Sequence, residues 1–135
     1  MSALAQSIAA GVVITAGLFL ITLAGVALTR PAFARHFLLS FAKTARTHYV
    51  EMAARILVGV ALIVASPMML FSPLFFWFGA ALLVSSVVLL CLPWQWHRSM
   101  GERVLPTFVS LLGVVSLVSF VLGALLVTAT VVGAA

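Results

Sequence analysis

Three histidines, two glutamates and one cysteine are the side chains of this sequence suited to proton transfer, nucleophilic attack or metal binding: His36, His48, His97, Glu51, Glu102 and Cys91. Metal-ligating histidines on one helix commonly stand four residues apart, as in H-E-x-x-H. Here they are twelve and forty-nine apart, so their spacing points to no metal or haem site and no cofactor is expected. A lone cysteine in an apolar run closes neither an internal disulfide nor a cysteine-only metal site. At a basic membrane interface, solvated or headgroup-contacting histidines are the expectation.

Both acids have structural roles available. Glu51 precedes Arg55 by four residues, the favourable order for an ion pair on a helix, worth a few tenths of a kcal/mol. Glu102 can reach Arg98 in the reverse order. A sharper reading makes Glu51 and Glu102 a carboxylate pair for acid–base chemistry or cation binding. It requires the two to meet in space, which nothing in the spacing enforces. No catalytic residue is therefore assigned, and an enzyme is not the expectation.

The elements that must position these residues are set by composition. Of 135 residues, 65% are hydrophobic and 7% charged, and the mean hydropathy is +1.36. A soluble domain is about one quarter charged, so this chain belongs to the membrane class and is read as a single all-α domain over 1–135. Seven basic residues against two acids would suggest nucleic acid in a soluble protein. Here they flank apolar spans, so orientation and lipid headgroups explain them and no nucleic-acid partner is expected. Residues 1–29 carry no charged side chain, unlike the basic start of a secretory signal, which suits a first helix that is retained.

Three uncharged stretches divide the chain into four expected spans, arranged as two hairpins. The first gives a helix over 8–29, about 33 Å long against a hydrocarbon core of about 30 Å. The second, 56–97, holds 42 residues without Asp, Glu, Lys or Arg. That suits two spans, over 50–69 and 73–92, turning in the run Ser66-Pro67-Met68-Met69-Leu70-Phe71-Ser72-Pro73, where proline removes a backbone donor and disfavours helix before it. A Pro67 kink within one helix is the alternative. The third gives a helix over 107–127 and a β-branched tail expected to fray.

All charge then falls on one side. Arg30, Arg35, Lys43, Arg46, Glu51 and Arg55 lie between or next to the first two spans, and Arg98, Glu102 and Arg103 between the last two. The termini and the central turn hold no Lys or Arg. The positive-inside rule makes the charged loops cytoplasmic and both termini periplasmic, as in a multi-pass protein of a bacterial inner membrane. Trp94 and Trp96 at one end of the third span, and Phe71, Phe75, Phe76, Trp77 and Phe78 at the other, read as two partial aromatic belts.

The first loop carries its own pattern. Phe33, Phe37 and Phe41 recur every four residues, with Arg35, Lys43 and Arg46 on the opposite side. That predicts an amphipathic helix over 31–49 lying in the interface, phenylalanines in lipid and basic groups toward anionic headgroups, with Pro31 in its first turn. The seven cations are the candidate contacts for headgroups or a partner, and Trp94 and Trp96 the interfacial anchors.

No ionisable residue is expected within the cores of the spans, which weighs against a proton-coupled carrier. Hydroxyls at Thr15, Thr22, Ser66, Ser85, Ser86, Ser110, Ser116, Ser119, Thr128 and Thr130 are expected to bond to backbone or a neighbouring helix. Candidate packing seams are Gly17 with Gly25, Ala61-x-x-x-Ala65, Ala81-x-x-x-Ser85 and Ser119-x-x-x-Gly123. The segment His48-x-x-Glu51-x-x-x-Arg55 loosely echoes His97-x-x-x-x-Glu102-Arg103, as a duplication would produce. The spacings differ, so the echo establishes no repeat. The function expected is that of a small non-catalytic membrane protein, an accessory or assembly subunit of a complex or a homo-oligomer. Its partners would be anionic lipid and another membrane protein or itself. The alternative is a transporter, channel or lipid-handling protein with an uncharged path, and a membrane enzyme stands third.

Overall fold

The computed structural model describes residues 2–40, 45–93, 95–96, 99–100, 102–104 and 110–134. The described residues are all-α, and among them four helices are long and apolar enough to cross a membrane. Helix α1 runs Ala3–Thr29, opened by Ser2, whose hydroxyl accepts from the Ala5 N–H at 3.2 Å. At 27 residues it is about 40 Å long, several residues more than a bilayer core demands. It stops because Pro31 disfavours helical backbone at Arg30, which adopts φ −135° and ψ 69°. Pro31 then opens α2 (Pro31–Ser40), the position where a missing N–H costs nothing. The elbow stays bonded on both sides, Arg30 N–H to the Val26 carbonyl and Ala34 N–H to the Arg30 carbonyl.

Helix α3 (Ala45–Ala65) starts five residues before the expected 50 and absorbs Arg46, His48 and Tyr49, which were expected in the interfacial helix. A 3₁₀ turn, Ser66–Met68, ends it with Pro67 in the first turn, so the proline terminates the helix rather than kinking it. Phe71 follows in the left-handed region, φ 56° and ψ 46°, a conformation that costs a non-glycine residue roughly 1–2 kcal/mol. Helix α4 (Ser72–Cys91) matches its expected bounds within one residue. Helix α5 (Leu112–Ala134) carries the β-branched tail to its end without fraying, and the expected start at Thr107 lies outside the described residues.

Consecutive spans pack together from α1 through α3 to α4, and α5 packs on α1 rather than on α4. The extended interfaces are α1 with α5, α3 with α4, and α1 with α3, while α2 lies on α1. Among the described residues, α4 forms no extended interface with α1 or α5. The main core gathers at the uncharged end, where Val13, Leu62, Ala65, Phe75 and Leu126 meet. Phe75 is thus a core residue and not part of an aromatic belt, while Phe71, Phe76, Trp77 and Phe78 face outward. At the charged end a second, smaller cluster joins Ala27, Ala34 and Leu112.

The two halves bury the same positions. Between α3 with its terminal 3₁₀ turn and α5, six pairs of buried residues each differ by 64 in number: His48 and Leu112, Met52 and Ser116, Gly59 and Gly123, Leu62 and Leu126, Ala65 and Ala129, Ser66 and Thr130. On α1 and α4, three buried pairs each differ by 62: Val13 and Phe75, Gly17 and Gly79, Ala24 and Ser86. Pro31 and Pro93, which follow these helices, also differ by 62. This is the pattern of a parallel repeat, with two extra residues between the helices of the second half. The symmetry is incomplete, because the α1–α3 interface has no α4–α5 counterpart. The side chains explain why. Ala9 and Ala61 are buried in the core, and Val12 packs against it partly buried. Their counterparts in the second half are Phe71, Leu74 and Leu125, large groups exposed at 70%, 61% and 46% that project where the first half packs small ones.

Candidate functional site

Two polar side chains, His48 and Arg55, share one inward stripe of α3. His48, Met52, Arg55, Gly59 and Leu62 follow a four-then-three spacing, which keeps them on one helix face. Expected among the headgroup-facing cations, Arg55 instead turns inward. Its Nε donates to Ser86 Oγ at 3.0 Å and one terminal nitrogen to Ser85 Oγ at 2.9 Å. Both serines pass their own protons to the Leu82 carbonyl, at 3.0 and 2.6 Å, so each hydroxyl accepts from the guanidinium and donates to backbone. The other terminal nitrogen stands 3.6 Å from Glu51, and both partners are partly exposed. Ser85 lies six residues before the end of α4 at Cys91, about 9 Å along the helix axis, so a charge does reach into the spans. Its planar fork suits two acceptors side by side.

His48 was expected in solvent and is 1% exposed, one turn before fully buried Met52, with the Tyr49 ring 5.0 Å away edge-on. Helix α3 begins early enough to put position 48 on the inward stripe, which a loop assignment could not reveal. Among the described residues no three of His, Cys, Asp and Glu gather as a metal site would require. His97 and Arg98, with Lys43 and Trp94, lie outside them. Arg30, Arg35, Arg46, Arg103 and Trp96 are exposed, as a headgroup-contacting set requires.

Two of the helix pairs, α1 with α5 and α3 with α4, cross at a glycine pair. A Cβ on Gly17 would stand 2.9 Å from the Gly123 carbonyl oxygen, and one on Gly79 2.9 Å from that of Gly59. Close backbone approach of this kind replaces hydrophobic driving force, which lipid does not supply between helices. One turn from Gly123, Ser119 Oγ donates to the Leu20 carbonyl across the α1–α5 interface at 2.8 Å. Gly17, Ser119 and Gly123 therefore form a real seam, and Ala61 and Ala65 are buried in the core. Gly25 has nothing within 4 Å of its Cβ position, and Ala81 is exposed. Gly59 and Gly79 escape a search for paired small residues, because each is the only small one at its crossing. A lone mid-span glycine, which costs helix stability without a packing reason, was the available signal.

Helix α2 doubles back along α1 instead of lying apart from it. Ala34 is fully buried beside Ala27 and Leu112, and the Phe37 ring approaches that of Phe19 at 6.4 Å between centroids. Between the two helices is an open cleft of about 170 Å³, walled by Phe19, Leu23 and Val26 of α1 and Phe33 and Phe37 of α2. Thr22 also lines it, but donates its proton to the Leu18 carbonyl, so the walls present almost only carbon. The phenylalanine stripe expected to meet lipid is in part covered by α1. Compared with known proteins, the chain matches no family model, no curated protein and no solved structure.

Proposed function

We propose that this chain is a non-catalytic accessory or assembly subunit of a membrane complex, or a homo-oligomer, whose partner helix takes the side where α4 and α5 do not close. The observation that carries the reading is the incomplete repeat. An interface built once between α1 and α3 is left unbuilt between α4 and α5, and large apolar side chains stand at the equivalent positions. In this reading the charged end faces the cytoplasm, the basic groups meet anionic headgroups, both termini are periplasmic, and nucleic acid plays no part.

An uncharged transport path draws less support. Thr15, Thr22, Ser116 and Thr130 each donate to the carbonyl four residues back, and Ser119 to α1, so these hydroxyls serve the backbone. A membrane enzyme would need the acids and histidines to share a cleft. Glu51 is instead held against Arg55, and His48 is buried in the helix stripe.

Single cysteines at Val84 and Val118, both outward-facing, in a Cys91→Ser background, test the reading. Crosslinking in native membranes is expected to give one discrete adduct, with a second copy or with one other protein. A monodisperse monomer in mild detergent that forms no discrete adduct from either position would sink it.

A further inference from the structure

We infer that the α1–α2 cleft seats one acyl chain of an anionic phospholipid, with the Arg30–Pro31 elbow beneath the headgroup. The inference rests on the reading that the charged end meets an anionic leaflet, and extends it to one place and one lipid class. Three observations carry it.

The first is chemical. Cleft walls of carbon, with the Thr22 hydroxyl spent on its own helix, offer a ligand nothing but van der Waals contact. Water needs two to four polar partners and finds none there. The second is depth. On α1 the cleft runs from Phe19 to Val26, a rise of about 10 Å against a core of about 30 Å. It therefore covers about two thirds of one leaflet and opens one turn from the charged end of α1, where the upper part of an acyl chain lies. The third is charge. Arg30 forms the elbow directly above Val26 and Ala34, both in the cleft wall, and both Arg30 and Arg35 are exposed. Residues 30–46 hold four basic side chains and no acid. A cation near an anionic surface contributes about 1 kcal/mol, or about fivefold in preference for each of these two arginines.

The whole chain reconstituted into vesicles of equal phosphatidylglycerol and phosphatidylcholine, then extracted in mild detergent, gives the test by native mass spectrometry. One retained phospholipid per chain is expected, phosphatidylglycerol over phosphatidylcholine by about twentyfold. Thr22→Trp, which fills the cleft, should lower retention about tenfold. Phe33→Glu, made at an exposed position, should do the same by placing a carboxylate in the wall. Arg30→Gln with Arg35→Gln should keep the lipid and bring the two headgroups to near parity. No retained lipid, retention unchanged in both cleft variants, or a preference unmoved by the arginine pair overturns the inference. Crosslinked adducts at α4 and α5 are read separately. An oligomer that forms without retained lipid defeats the cleft alone, and a lipid-loaded monomer defeats only the subunit reading.

Discussion

The α1–α5 and α3–α4 pairs solve one problem with two kinds of polar contact. Each crosses at a reciprocal glycine pair, Gly17 with Gly123 and Gly59 with Gly79. Each adds a polar group one helical turn toward the charged end, Ser119 in one and Arg55 in the other, at equivalent positions of the repeat. Serine is short and neutral and needs only one carbonyl. Arginine carries charge, so it requires a serine pair, a nearby carboxylate and a position close enough to the membrane end for partial exposure. The glycine approach is therefore the shared element, and the polar contact is what the two halves vary.

The largest test of that view is steric. Gly79→Ala and Gly123→Ala should each cost about 1–3 kcal/mol, read as earlier unfolding in a detergent titration, because the new Cβ would press on backbone atoms. Stability unchanged in both would break the equivalence of the crossings. Arg55→Met should cost about 1–2 kcal/mol by the same titration, at the low end for a hydrogen-bonded charge because the group is partly exposed. A cost no greater than that of Ser119→Ala would show that the two contacts are interchangeable. Ser119→Ala itself should cost about 0.6 kcal/mol, the usual size of one interhelical hydrogen bond in a membrane. The smallest effect has the opposite sign. Gly25→Ala should stabilise by about 0.5 kcal/mol, since the methyl group enters open space and helix propensity improves. A loss there would mean that α1 has a partner on that face.

The spans were legible in the sequence because apolar length and the absence of charge are local properties, as the match of α4 to its expected bounds shows. Partner choice was not. Helices α1, α4 and α5 are apolar on every side, so periodicity marks no packing face. The stripe on α3 was hidden for a different reason. Its polar members, His48 and Arg55, look like loop residues until the helix is seen to start at Ala45. Helix α2 was anticipated as a helix, but a phenylalanine row cannot say whether lipid or another helix covers it. The repeat was glimpsed through the wrong residues. It lives in buried positions such as Gly59 and Gly123 rather than in the polar echo around His48 and His97.

The hydrogen bond from the Leu70 N–H to the Ala129 carbonyl, at 3.1 Å, ties the turn between α3 and α4 to the last helix. During synthesis the turn is made some sixty residues before its acceptor, as the numbering requires. Until α5 is made, the Leu70 N–H lacks the backbone acceptor it has in the finished fold. Arrival of α5 completes that turn, so the final helix acts as a latch on assembly.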